Sequence, residues 1–102
     1  KPGMILSDEP GFYLPGSHGI RLENLLMVQP APDGIAGKKF LAFETLTLAP
    51  FARRLILPDL LDPSARAWLD AYHAQVRETV APALPPEDRA WLEAETEPLG
   101  RG

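Results

Sequence analysis

The chain of 102 residues has no cysteine and only two histidines, His18 and His73. Without thiols it can build neither a disulfide framework nor a thiolate zinc site, and it offers no cysteine nucleophile, so its folded state must rest on an apolar core. A bound metal would have to be held by carboxylate or imidazole. Basic residues are also scarce: 10 Lys and Arg stand against 14 Asp and Glu, a net charge of -4. Neutralising a phosphate backbone takes clustered cations, so no nucleic-acid partner is expected. No apolar run approaches the roughly 18–20 residues of a membrane-spanning helix, and no membrane partner is expected either. Lys1-Pro2-Gly3 carries neither an initiator methionine nor a signal-peptide pattern, which suggests a segment of a longer protein.

What the chain does have is an ordinary globular composition, 45% hydrophobic and 24% charged, together with 12 prolines that punctuate it. From Gly3 to about Leu57, aliphatic, β-branched and aromatic residues are interrupted by the turn signals Asp8-Glu9-Pro10-Gly11, Pro15-Gly16-Ser17 and Pro32-Asp33-Gly34. Gly19 to Val28 alternates in period 2, which predicts one strand with Arg21 and Glu23 on the same face. Phe40 to Leu48, after Gly37 and before Pro50, is a further extended run, and Leu55 to Leu57 a short continuation.

After Pro58 the pattern becomes helical. Asp62-Pro63 supplies an N-cap acceptor and a proline at the first helical position. Ala65, Trp68, Leu69, Tyr72, Val76 and Val80 then form one apolar stripe at spacings of three and four, ended by Pro82, Pro85 and Pro86. A second, shorter helix is expected from Pro86-Glu87-Asp88 through Trp91 and Leu92 towards Glu95, its acidic start suiting the helix dipole. The expected packing is through Trp68, Leu69 and Tyr72 on one helix and Trp91 and Leu92 on the other, with a frayed tail from Pro98 to Gly102. Arg66-Ala67-Trp68-Leu69-Asp70-Ala71 resembles Arg89-Ala90-Trp91-Leu92-Glu93-Ala94, a likeness better ascribed to shared helix composition than to a repeat. The fold class is therefore α+β, with a strand-rich part at residues 1–57 and a helical part at 58–102.

Among candidates for chemistry, carboxylates come first. Glu9 precedes Pro10-Gly11, which disfavours a helix and presents the side chain at a strand end. Glu23 lies among Ile20, Leu22, Leu25 and Leu26, where burial would demand a pairing partner or a metal. Periodicity alone favours the plainer alternative, an Arg21–Glu23 ion pair on the solvent side of an edge strand.

Three blocks in order, Gly3-Met4-Ile5-Leu6-Ser7-Asp8-Glu9-Pro10-Gly11-Phe12-Tyr13, Gly19-Ile20-Arg21-Leu22-Glu23-Asn24 and Phe43-Glu44-Thr45-Leu46-Thr47-Leu48-Ala49-Pro50, resemble the last third of the catalytic domain of Xaa-Pro aminopeptidases (aminopeptidase P). Trp68-Leu69-Asp70-Ala71-Tyr72-His73 resembles the C-terminal segment of the long members of that family. The resemblance implies the C-terminal part of a pita-bread metallopeptidase fold: residues 1–57 would complete the catalytic domain and 58–102 would be its helical extension. It further implies two divalent metal ions, commonly Mn2+ with Zn2+ or Co2+ as alternatives, held by two Asp, one His and two Glu. Glu9 and Glu23 match the two Glu ligands, Glu23 as the bridging one and Glu9 as the one that also accepts a proton from the attacking water. Tyr13 and Arg21 match residues that steady those ligands. His18 is a candidate for the pocket rim, Glu44 for a structural hydrogen bond or ion pair, and His73 for a partly exposed helix position.

By the same resemblance the substrate is a proline-containing peptide cleaved at its N-terminal Xaa-Pro bond, the parent protein is a cytoplasmic homodimer, and this segment alone, lacking the Asp, Asp and His ligands, is inactive. The competing expectations are a noncatalytic interaction or dimerisation module from a pita-bread protein, and a prolidase-type or creatinase-type relative.

Overall fold

The computed structural model describes residues 1–31 and 39–99. The turn signal at Pro32-Asp33-Gly34, the boundary at Gly37 and the tail Gly100 to Gly102 lie outside the described residues. The chain forms two compact units, Lys1–Thr47 and Leu48–Gly102. Antiparallel strands fill the first and two helices the second, the α+β arrangement expected from the sequence.

In the first unit β1 (Ile5–Asp8), β4 (Asn24–Pro30) and β5 (Leu41–Thr45) make a three-stranded sheet in the order β1-β4-β5, while β2 (Gly11–Leu14) and β3 (His18–Arg21) make a two-stranded one. All pairings are antiparallel. The β2–β3 turn uses Gly16 at φ 75°, a left-handed conformation that glycine adopts without a Cβ clash, and Ser17 N–H closes it on Leu14 O at 3.0 Å.

The strand expected over Gly19–Val28 is two strands in two sheets. β3 ends at Arg21, opposite Gly11, and β4 begins at Asn24, opposite Asp8. Between them Leu22 N–H donates to Pro10 O at 3.0 Å. The alternation of residue types runs unbroken through Leu22 and Glu23, so it could not reveal the crossing. The facing arm breaks at the same level: β1 ends at Asp8 and β2 starts at Gly11, with Pro10, which has no N–H to donate to a ladder, inside the gap.

The helical unit holds the hydrophobic core. Asp62 caps α1 (Pro63–Val80) by accepting the Ala65 N–H at 2.7 Å, and Pro63 occupies the first turn as expected. Leu69, Tyr72 and Val76 of α1 pack with Ala81, with Leu92 of α2 (Pro86–Glu95) and with Leu99, flanked by Leu48, Phe51, Ile56, Leu61, Val80 and Leu84. Burying each such aliphatic side chain is worth roughly 1.5–3 kcal/mol.

Several expectations are corrected in this unit. Leu55 to Leu57 is not a strand: Arg53–Leu55 is a 3-10 turn, followed by a second at Pro58–Leu60. Trp68 and Trp91 remain 53% and 59% exposed. Trp68 instead lies parallel to the Tyr72 ring at 5.3 Å. His73 is fully buried rather than partly exposed, because it falls one turn after Leu69 on the core face and its Nε2 accepts the Phe51 N–H at 3.1 Å. Pro98 and Leu99 are tied down, not frayed. Arg53 donates to Glu97 O and Pro98 O, Arg77 to Thr96 O, and Leu99 N–H donates to Asp70 Oδ1 at 2.9 Å, with the Leu99 side chain in the core.

Candidate metal centre

Glu9 and Glu23 occupy the matching gaps in the two arms of the strand unit. The Asp8–Asn24 pair bounds the gaps on one side and the Gly11–Arg21 pair on the other, so both ladders fix the backbone from which each carboxylate departs. Neither residue belongs to a strand. Glu23 is accordingly not buried in a hydrophobic strand: its side chain is 43% exposed, close to the 40% of Glu9.

Arg21 brings the two together. Its Nε lies 3.7 Å from Glu9 Oε1 and 3.4 Å from Glu23 Oε2. The Arg21–Glu23 pair expected from alternation is present, and Glu9 joins it. Ser7 Oγ donates to the other Glu9 oxygen, Oε2. The Tyr13 hydroxyl, then the charges of Glu23 and Glu9, hold the guanidinium above its usual pKa. Exposed ion pairs are screened by solvent and add little to stability, so this convergence has little value as a fold stabiliser. Its effect is geometric: two carboxylates are gathered about one cation.

The donor chemistry suits hard divalent ions, which prefer carboxylate oxygen, but the ligand count falls short. Among the described residues no three His, Asp or Glu side chains converge on a point. Two carboxylates can contribute to a metal centre; they cannot complete a dinuclear one.

His18 stands at the start of β3, its Nδ1 2.9 Å from Ser17 Oγ and its ring 6.1 Å from that of Phe12. It pairs with Leu14 in the register, on the sheet face opposite Tyr13 and Arg21. Glu44 lies exposed in β5 opposite Met27. A cleft of about 330 Å³ lined by Leu61, Pro63, Arg66, Ala67 and Asp70 belongs to the helical unit and contains neither candidate carboxylate.

Sequence reasoning missed Ser7 as a partner of Glu9, and it missed the closeness of Tyr13 to Gly11 and Gly19. The second had a signal. A glycine inside a strand pattern marks a place where another group approaches the backbone closely.

The fold belongs with a known class of peptidase segments: residues 39–99 match the model of the family described as the C-terminal region of peptidase M24, and the chain belongs to that family. Among curated proteins it is similar to the "Probable Xaa-Pro aminopeptidase P" of Colletotrichum graminicola, 42% identical over 102 residues that take in 96% of this chain and 16% of that protein. It is likewise similar to the protein of that name from Laccaria bicolor, 39% identical over 103 residues, 97% of this chain and 16% of the relative. Among solved structures it superposes on the X-prolyl aminopeptidase of Caenorhabditis elegans, described as a cytosolic enzyme with a di-nuclear active site. There the TM-score is 0.85 and the identity 31%, over 96% of this chain and 17% of that one. The chain thus spans about a sixth of the length of the relatives it matches.

Proposed function

We propose that this chain supplies part of the active site of a dinuclear-metal aminopeptidase that hydrolyses the bond between an N-terminal residue and a following proline, and that Glu9 and Glu23 are its two contributions to metal binding. One observation carries the reading: both carboxylates project from matching gaps in paired strands and converge on Arg21, in a chain about 40% identical to curated Xaa-Pro aminopeptidases.

The family's metals, with Mn2+ as the proposed ions, would lower the pKa of water and draw negative charge from the carbonyl under attack. This chain's residues do the rest of its share. Glu23, set between the two ladders, would hold the ions as a ligand that both share. Glu9, kept in orientation by Ser7 and Arg21, accepts the proton of the attacking water on one carboxylate oxygen. Arg21 and Tyr13 keep the carboxylates aimed, and His18 is proposed as a residue of the pocket rim. The remaining ligands come from elsewhere in the parent protein, so the 102-residue chain by itself is inactive. A cytoplasmic, homodimeric parent acting on proline-containing peptides completes the proposal.

The test is release of the N-terminal residue from an Xaa-Pro-Pro peptide in the presence of Mn2+, by the full-length protein that carries this segment and by the 102-residue chain. Activity confined to the full-length protein is expected, with Glu9→Gln reducing kcat by about 10²–10⁴-fold and Glu23→Ala abolishing turnover. Full activity in either variant would overturn the ligand assignment, and activity in the short chain would overturn the shared site.

A further inference from the structure

The Tyr13 ring lies flat over two glycines. In the β2–β3 register Tyr13 faces Gly19 and Gly11 faces Arg21, and all four share one side of the sheet. A Cβ on Gly19 would sit 2.6 Å from Tyr13 Cδ1, and one on Gly11 would sit 2.7 Å from the Tyr13 hydroxyl oxygen and 2.9 Å from its ring carbons. The described glycines with positive φ are Gly3 and Gly16. Backbone conformation therefore does not require glycine at 11 or 19. Space does.

The bare surface lets the ring run along the sheet, and a ring so placed carries its hydroxyl over Gly11, the register partner of Arg21. We propose that Gly11 and Gly19 are positioning residues: they form a seat free of side chains that holds Tyr13 against the sheet, and the seated tyrosine fixes Arg21 between Glu9 and Glu23. The inference rests on the reading of those carboxylates as metal ligands. On that reading, the aim of the pair at its metals is set by two absent β-carbons.

The seat differs from an ordinary packing contact in what its loss would do. Tyr13 is 61% exposed, so a methyl group at position 11 or 19 displaces the ring into open space rather than into a core. The strands keep their ladder while Arg21 loses its tether.

The experiment is calorimetric titration of Mn2+ into the metal-free full-length protein, paired with thermal unfolding, for Gly11→Ala, Gly19→Ala, Tyr13→Ala and the double variant Gly19→Ala with Tyr13→Ala. Each single substitution is expected to weaken Mn2+ binding by about 10–100-fold, the range for groups that orient metal ligands, with little change in Tm. The double variant is expected to bind no more weakly than Tyr13→Ala alone, since the methyl group acts only through the ring. Unchanged Mn2+ affinity in both glycine variants would overturn the proposal, as would losses that multiply in the double variant. If Gly19→Ala fails to fold, the double variant decides: recovery of folding identifies the ring as the obstacle, and no recovery overturns the seat. Glu23→Gln in the same titration separates the two levels. Lost binding there beside unaffected glycine variants removes the seat alone, whereas unchanged binding in Glu23→Gln removes the ligand reading and the seat with it.

Discussion

At His73 an imidazole occupies a position where the period of α1 would place a hydrophobe. Its neighbours on that face, Leu69 and Val76, are buried, and the ring replaces the missing apolar contact with a hydrogen bond from Phe51 N–H, while Tyr72 holds Ala49 through both its N–H and its carbonyl. Together they clamp the stretch from Ala49 to Phe51 onto the helix. Burial of the ring, then the charge of Arg53 and more weakly that of Arg77, depress the His73 pKa below the ordinary 6.5, against the opposing pull of Asp70 and Glu95. In the unfolded chain the ring takes up its proton near 6.5, but the folded chain resists it to lower pH. The unfolded state thus binds more protons across that interval, so the contribution of His73 to stability is present above 6.5 and is lost as pH falls from there towards the folded pKa. His73→Gln keeps an acceptor for Phe51 without a titrating ring. The expected outcome is a urea midpoint that drops more between pH 7.5 and pH 5 in the parent chain than in His73→Gln; equal drops would refute it. His73→Ala, which strands the Phe51 N–H, should cost about 1–3 kcal/mol at pH 7.5 and less at pH 5, where the parent has lost part of the contribution of the ring.

The helices show how one short motif can be put to the same use twice. In the two similar hexapeptides the leucines Leu69 and Leu92 are buried and the tryptophans Trp68 and Trp91 are exposed. The arginines also act alike. Arg66 donates to Pro58 O and Arg89 to Ala81 O, in each case the first carbonyl of the 3-10 turn before the helix. Arg89 reaches Leu84 O and Pro82 O as well, at 3.2 and 3.4 Å, and so gathers three carbonyls of the turn on one guanidinium, Ala81 O accepting the Leu84 N–H besides. Arg89→Ala is expected to destabilise the chain by about 1.5–3 kcal/mol in urea denaturation, the range for charge-assisted hydrogen bonds. Arg89→Lys should recover little of it, because a point ammonium cannot span the fan of carbonyls; full recovery would show that charge alone matters. These elements were legible where local chemistry decides them. Asp62-Pro63 marked the start of α1 and Pro86-Glu87-Asp88 that of α2, and both starts are as expected. The carboxylates Glu9 and Glu23 were legible as candidates, and the pairing of Arg21 with Glu23 followed from alternation. What alternation could not carry was the crossing at Leu22-Glu23. A strand that leaves one ladder for another keeps its period, and only the pairing partners change. The tryptophans misled for a related reason: helical spacing fixes a direction, while burial depends on what lies opposite it.

Across the whole molecule apolar burial is unequally shared. The buried cluster of Leu69, Tyr72, Val76, Ala81, Leu92 and Leu99 belongs entirely to residues 48–99, and in the strand unit Val28 is the buried hydrophobe among the described residues. Every residue of β1, β2 and β3 is exposed, including Ile5, Phe12 and Ile20. Phe12 and Ile20 face each other on one side of the hairpin, with Tyr13 and Gly19 on the other, so neither side of it has a core beneath it. A two-stranded ribbon without a packed face is marginal in water, and its backbone hydrogen bonds open without disturbing the rest of a fold. The metal-binding candidates Glu9 and Glu23 stand next to this ribbon, where local opening is cheap. Native-state amide exchange on the 102-residue chain should therefore show two tiers. Amides of α1 around Leu69 to Val76 are expected to exchange with the free energy of global unfolding, and those of Phe12 to Leu14 and Gly19 to Arg21 orders of magnitude faster. Equal protection in the ribbon and in α1 would mean that the strand unit draws stability from a source its burial does not reveal. The predicted difference would instead mark the carboxylate end of the chain as the part that gains most in rigidity from metals and from the remaining ligands.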